Sequence, residues 1–153
     1  MAGGMELLGG TDIRIASTNA EFSVTEVRRG LFAGGGTPAR LPRQMSWPAA
    51  MELLLVADNI SAERAFQLGL VNSVVEPDKL MEVAYEWARK IAANAPISVQ
   101  QTKKAALASL AVGSLEDAYA VEDECANTVF ATEDAQEGAR AFLEKREPVW
   151  KGC

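Results

Sequence analysis

The chain of 153 residues contains no histidine. That absence removes Ser-His-Asp triads, Cys-His dyads and every histidine-based metal site. Acid-base chemistry must then fall to Asp, Glu, Lys, Tyr or Cys. Cysteine is scarce: Cys125 and Cys153 are far apart, the first on an apolar helical pattern and the second at the last position. Two free thiols in a reducing compartment fit this better than a disulfide or a metal site. Long apolar runs are missing, Leu53 to Ala57 being the longest, and a bilayer span needs about 20 residues. No basic segment followed by an apolar core marks a signal peptide, so a cytoplasmic protein is expected. Clustered positive charge is missing too. The net charge is −6 and the nearest basic group is the pair Arg28-Arg29, which argues against a nucleic-acid partner.

What is present is ordinary globular composition, 48% hydrophobic and 24% charged, in a length that suits one domain. Met5-Glu6-Leu7-Leu8 opens a helix behind Gly3-Gly4. The alternation in Asp12 to Ser17 predicts a short strand, and Glu21 to Val24 a second extended piece. After the run Gly34-Gly35-Gly36 the pattern turns helical. Pro48 suits the first turn of a helix through Leu55. Ser61 is a candidate N-cap for Ala62 to Leu68, with Gly69 as the stop. Val71 to Val75 reads as a small strand. Leu80, Val83, Ala84, Trp87, Ala88, Ile91 and Ala92 form an apolar stripe at helical spacing. Pro96 opens another helix, running to Leu110. Ser114 to Asp117 resembles a capping box, with Leu115, Tyr119, Cys125, Ala126 and Val129 on one face behind it. A last helix is expected from about Asp134 to Arg146, ended by Pro148. Strands this few do not make an independent sheet. The glycine run lacks the lysine of a phosphate loop.

Taken in order, Ala2-Gly3-Gly4-Met5-Glu6-Leu7, Asp12-Ile13-Arg14-Ile15-Ala16, Glu26 and Gly30 to Thr37 with Arg40-Leu41-Pro42-Arg43 resemble the second half of an enoyl-CoA hydratase/isomerase (crotonase) domain. Ile60 to Ala65, Leu68 to Asn72, Glu133 to Gly138 and Phe142 to Arg146 continue the match. The resemblance covers essentially the whole chain and somewhat more than half of a family member. It implies an α/β (α+β) fold: an incomplete crotonase-like ββα spiral over residues 1–76, followed by a helical C-terminal trimerisation region over 77–153.

The resemblance also implies roles. Gly3 matches a backbone N–H of the family's oxyanion hole. Helix N-termini carry unpaired N–H groups and about half a positive charge, and glycine admits a substrate closely. On residues alone, the competing reading is that Gly3 and Gly4 permit tight packing. Glu6 and Glu26 match two glutamates that hold one water, Glu6 activating it for attack at C3 and Glu26 delivering a proton to C2. The competing readings are a helix-first-turn acid for Glu6 and pairing with Arg28 or Arg29 for Glu26. Phe142 and Lys145 match positions that contact the CoA adenine and phosphates; the alternative is an amphipathic helix with Phe142 in and Lys145 out.

The implied activity is hydration of 2-enoyl-CoA thioesters, with coenzyme A as part of the substrate, no further cofactor and no metal. Retention of both glutamates favours hydration over isomerisation, and carnitinyl-CoA dehydration is a further possibility within the family. Gly9-Gly10, read as helix-interior positions, should weaken their helix by roughly 1 kcal/mol each. A chain lacking the first half of the domain would lose one oxyanion donor, worth on the order of a hundred- to a thousandfold in rate. Little or no activity of the chain alone is therefore expected, and a non-catalytic assembly fragment is the alternative. Self-association as a trimer or hexamer is expected, with no membrane partner.

Overall fold

The computed structural model describes residues 1–153. Its elements run α1 (Gly3–Gly9), β1 (Ile15–Ser17), β2 (Glu21–Phe22), a 3₁₀ turn (Glu26–Arg29), α2 (Thr37–Gln44), α3 (Trp47–Met51), a π-helical turn (Glu52–Val56), β3 (Ile60–Ser61), α4 (Ala62–Gln67), β4 (Ser73–Val75), a second 3₁₀ turn (Pro77–Lys79), and α5 (Leu80–Ala92), α6 (Pro96–Ser109), α7 (Leu115–Phe130) and α8 (Glu133–Glu144). They form two compact units, Met1–Tyr85 and Glu86–Cys153.

In the first unit two strand pairs are made from residues far apart in sequence. β1 pairs in parallel with β4, Ile15 opposite Ser73 and Ser17 opposite Val75. β2 pairs antiparallel with β3, Glu21 opposite Ser61 and Phe22 opposite Ile60. Helices and turns pack over these short ladders around Met5, Val24, Leu41, Leu53 and Leu70, all buried. Ser61 caps α4 by accepting from the Arg64 N–H at 3.2 Å, and Gly69 takes a left-handed φ of 75° where the chain turns away.

The predicted strand over Asp12 to Ser17 is realised only at its last three residues. Before them, Arg14 takes its partners locally and across the unit. Its guanidinium donates to the carbonyls of Thr11 and Leu70 and to Gln44, and its N–H donates to the Asn72 side chain. The helix expected through Leu55 is interrupted: α3 ends at Met51, the chain widens into the π turn, and Ala57 closes it at φ 59°. Nor are Gly9 and Gly10 both interior. α1 ends at Gly9 and Gly10 is its C-cap, so the expected double penalty does not arise.

The second unit is helical. α6 and α7 pack against each other. Ser114 caps α7, accepting from the Asp117 N–H at 3.0 Å, and Thr132 caps α8, accepting from the Ala135 N–H at 3.1 Å. The apolar face along α7 is unevenly covered, with Ala126 and Val129 half-buried. Cys125 is buried, whereas Leu115 and Tyr119 are exposed. The C-terminal tail is tied down by acids of α8. Asp134, itself buried, accepts from the N–H groups of Lys151 and Gly152 at 2.7 and 2.9 Å. Glu137 accepts from Val149 N–H and from Arg146. No helix is long and apolar enough to cross a membrane.

Candidate active site

α1 is short, and its burial follows helical spacing. Met5 and Gly9, four apart, face inward; Gly3 and Leu7 face out; Glu6 lies between and is half-buried. The helix is entered through Ala2 at φ 47° and ψ −121°, a conformation unfavourable for a residue with a Cβ. The Ala2 N–H donates to the Ser23 carbonyl at 3.2 Å, which fixes this entry against the end of β2. Strain of this kind persists only where its surroundings impose it, and it gathers at functional sites.

The entry decides which amides are taken. Gly4 N–H bonds to the Met1 carbonyl, and the N–H groups of Met5 and Glu6 bond to that of Ala2. Gly3 N–H has no acceptor in the chain. A Cβ added at Gly3 or Gly4 would meet nothing within 4 Å, so tight packing does not explain these glycines. Beside them lies an open polar cleft of about 640 Å³, lined by Met1, Ala2, Thr25, Arg28, Arg29 and Asn59. An exposed helix-start amide at such a cleft can accept a developing negative charge.

Glu6 is held from outside its own helix. Its Oε1 accepts the Gly35 N–H at 2.6 Å. Gly35 must be glycine, because a Cβ there would fall on the Glu6 carboxylate. Gly36 follows at φ 102° and leads into α2. The glycine run thus brings its backbone against this carboxylate. Sequence reasoning found the run but not its target, since the bond joins residues 29 apart.

Glu26 opens the 3₁₀ turn Glu26–Arg29. Its Oε2 is buried and has no hydrogen-bond partner. The neighbouring arginines are engaged elsewhere: Arg28 pairs with Asp58 and donates to the Val56 carbonyl, and Arg29 donates to the Thr25 hydroxyl at 2.8 Å. Ion pairing with these neighbours is therefore not the role of Glu26. An acid whose shielded oxygen is left without a donor is available to a ligand or to a water.

The structure thus places Gly3, Glu6 and Glu26 in one unit and ties Glu6 to Gly35. Phe142 and Lys145 lie in the other unit. Phe142 is 84% exposed at the last turn of α8, which overturns its reading as the inward face of an amphipathic helix. Lys145 is exposed and caps α8 at φ 55° and ψ 43°. No group of three or more acidic or cysteine side chains is arranged to hold a metal ion.

The family model of enoyl-CoA hydratase/isomerase matches residues 1–153. The chain is 42% identical over 153 residues to the (E)-benzylidenesuccinyl-CoA hydratase of Thauera aromatica, covering all of this chain and 59% of that protein. It is 42% identical over 147 residues to the short-chain-enoyl-CoA hydratase of Clostridium acetobutylicum, covering 96% of this chain and 56% of that protein. Among solved structures, an enoyl-CoA hydratase of Bacillus anthracis superposes with a TM-score of 0.96 at 39% identity, over 99% of this chain and 58% of its own. One from Mycobacterium tuberculosis H37Rv gives 0.94 at 43% identity, over 99% and 60%. The chain therefore spans somewhat more than half the length of the relatives it matches. With a match along its entire length and a shared fold at this level of identity, the chain belongs to the enoyl-CoA hydratase/isomerase family.

Proposed function

We propose that this chain carries the acid-base half of an enoyl-CoA hydratase site, which adds water across the C2–C3 double bond of a 2-enoyl-CoA thioester. The observation that carries the reading is the state of α1. One helix presents an amide without an acceptor, Gly3, and one turn later a carboxylate, Glu6, fixed by the Gly35 N–H. Several relatives are named as enoyl-CoA hydratases, including those of short-chain and crotonyl substrates.

In this scheme the thioester oxygen lies against Gly3 N–H, which stabilises the enolate charge as it develops. Glu6 takes a proton from water while the water oxygen bonds to C3. Glu26 gives a proton to C2. Water is added overall, and the two carboxyl groups exchange protonation states. The Gly35 hydrogen bond holds Glu6 oriented before substrate arrives, so no reorganisation is needed during the step. The partnerless Oε2 of Glu26 supplies the second contact to the water. A carboxylate pair around one water is a recurrent way to divide base and acid roles.

For the rest of the substrate, the exposed Phe142 ring and Lys145 ammonium are proposed contacts for the CoA adenine and phosphates. The exposed apolar faces of α7 and α8 are proposed contacts in a homotrimer or a hexamer built from it. Hydration of crotonyl-CoA by a complete hydratase domain that includes this chain, followed as loss of the conjugated thioester absorbance, tests the catalytic reading. Glu6→Gln should lower kcat by on the order of a hundredfold or more. Unchanged turnover in that variant would remove Glu6 from the mechanism.

A further inference from the structure

The segment after the glycine run has a feature that the roles above leave unexplained. Arg40 extends back from α2 toward both partners of the Glu6–Gly35 bond. Its Nη1 donates to the Gly35 carbonyl at 3.1 Å. Its guanidinium lies over the α-carbon of Gly36, where an added Cβ would be 2.7 Å from Nη1. Its stem runs along Gly9 at the end of α1, with Cδ 3.6 Å from the position of a Cβ there. One side chain therefore touches the helix that carries Glu6 and both residues of the turn that holds the Glu6 carboxylate.

We propose that Arg40 is a positioning residue for Glu6: it braces the Gly35-Gly36 turn against α1 so that the Gly35 amide stays on the carboxylate. The need for a brace follows from the turn. Three consecutive glycines have wide backbone freedom, and Gly36 sits at a φ that only glycine adopts easily. Gly35 accepts from Arg40 through its carbonyl and donates to Glu6 through its N–H, so both of its peptide planes are fixed. Without the guanidinium, the Gly35 N–H bond to the Glu6 carboxylate is the tie left between this turn and α1. The planar guanidinium lies against Gly36 and still donates to Gly35, which an ammonium group does less well. Arg43 provides the contrast: it is exposed and donates to the Ala39 carbonyl of its own helix.

This proposal rests on the role given to Glu6, and the experiment separates the two. In ¹⁵N-labelled protein, the Gly35 amide resonance is followed through the carboxylate titration range. It should titrate in the wild type and stop doing so in Glu6→Gln. In Arg40→Gln the titration should shrink to less than half and the Gly35 amide should exchange faster, with Leu53 protection unchanged. Arg40→Lys, which keeps the stem and one donor, should fall between, and Arg43→Gln should match the wild type. In crotonyl-CoA hydration, Arg40→Gln should lose about tenfold to a hundredfold in kcat with KM little changed, the signature of a misplaced catalytic group. A full Gly35 titration or full kcat in Arg40→Gln overturns the proposal. If Arg40→Gln loses Leu53 protection, the Arg40→Lys variant decides by the same readouts. If a complete hydratase domain that includes this chain does not hydrate the thioester and Glu6→Gln changes nothing in it, the hydratase reading fails, and the Gly35 titration alone still decides the brace.

Discussion

In Met1–Tyr85 the large apolar side chains Met5, Val24, Leu41, Leu53 and Leu70 are fully buried; in Glu86–Cys153 the buried residues are Cys125, Ala141, Thr132 and Asp134. The first unit folds around an apolar centre assembled from five segments. The second closes mainly by capping and by fastening its tail with carboxylates, while Leu115, Tyr119, Phe130, Phe142 and Leu143 stay exposed. Apolar burial stabilises by roughly 25 cal/mol per Å², so the first unit holds its stability internally. The second presents the surface on which more could be gained by association. The proposed catalytic groups belong to the unit with the apolar core, and the proposed CoA and subunit contacts to the more open one. A base that must be placed to within a fraction of an ångström benefits from the first environment.

The largest expected difference comes from the two cores. Leu41→Ala in α2, at a position with no solvent exposure, should destabilise the protein by about 2–5 kcal/mol. Phe142→Ala, at a position that buries little, should change stability by less than about 0.5 kcal/mol. Denaturant unfolding measures both, and equal losses would abolish the distinction between the units. A smaller effect is expected from the tail. Asp134→Ala removes a buried acceptor of two backbone N–H groups and should cost about 3 kcal/mol, seen as faster amide exchange at Lys151 and Gly152 with Leu53 unaffected.

The smallest effect is one of pH. Arg146, and after it the Val149 N–H, hold Glu137 well below the ordinary glutamate range, at about 2. A folded-state value below the unfolded one of about 4.3 means that the contribution is complete at neutral pH. It is lost as acid carries the solution down through the folded value. The Trp150 indole N–H, bonded to the Ala93 carbonyl at 2.7 Å, reports on the tail. It should lose protection between about pH 4 and pH 2, and Glu137→Gln should show the loosened tail already at neutral pH. Protection that is insensitive to both would show that the tail is held by its other contacts.

The two units also differ in how much of them could be read from sequence. α5 to α8 follow their apolar spacing and caps closely, because Ser114, Pro96 and the stripe from Leu80 act within a few residues. Ser61 and Gly69 are legible for the same reason. Burial is less legible: the α7 stripe has helical spacing, but spacing alone does not say whether anything covers it. In the first unit, β1 is shorter than its alternation because Arg14 bonds to Asn72 and Leu70, far along the chain. The candidate site shows the same limit. Glu6, Glu26 and Gly3 are candidates through a resemblance, whereas Gly35, which bonds the Glu6 carboxylate, and Arg40, which bonds Gly35, become visible only in three dimensions. A glycine run announces that something comes close, but not what.

The central claim is that Glu6 and Glu26 act on one water as a unit. The most direct measurement is crotonyl-CoA hydration by Glu6→Gln, Glu26→Gln and the double variant. Groups that act together are strongly non-additive. The double variant should therefore be scarcely slower than the slower single variant, whereas losses that multiply would show that the two glutamates work independently.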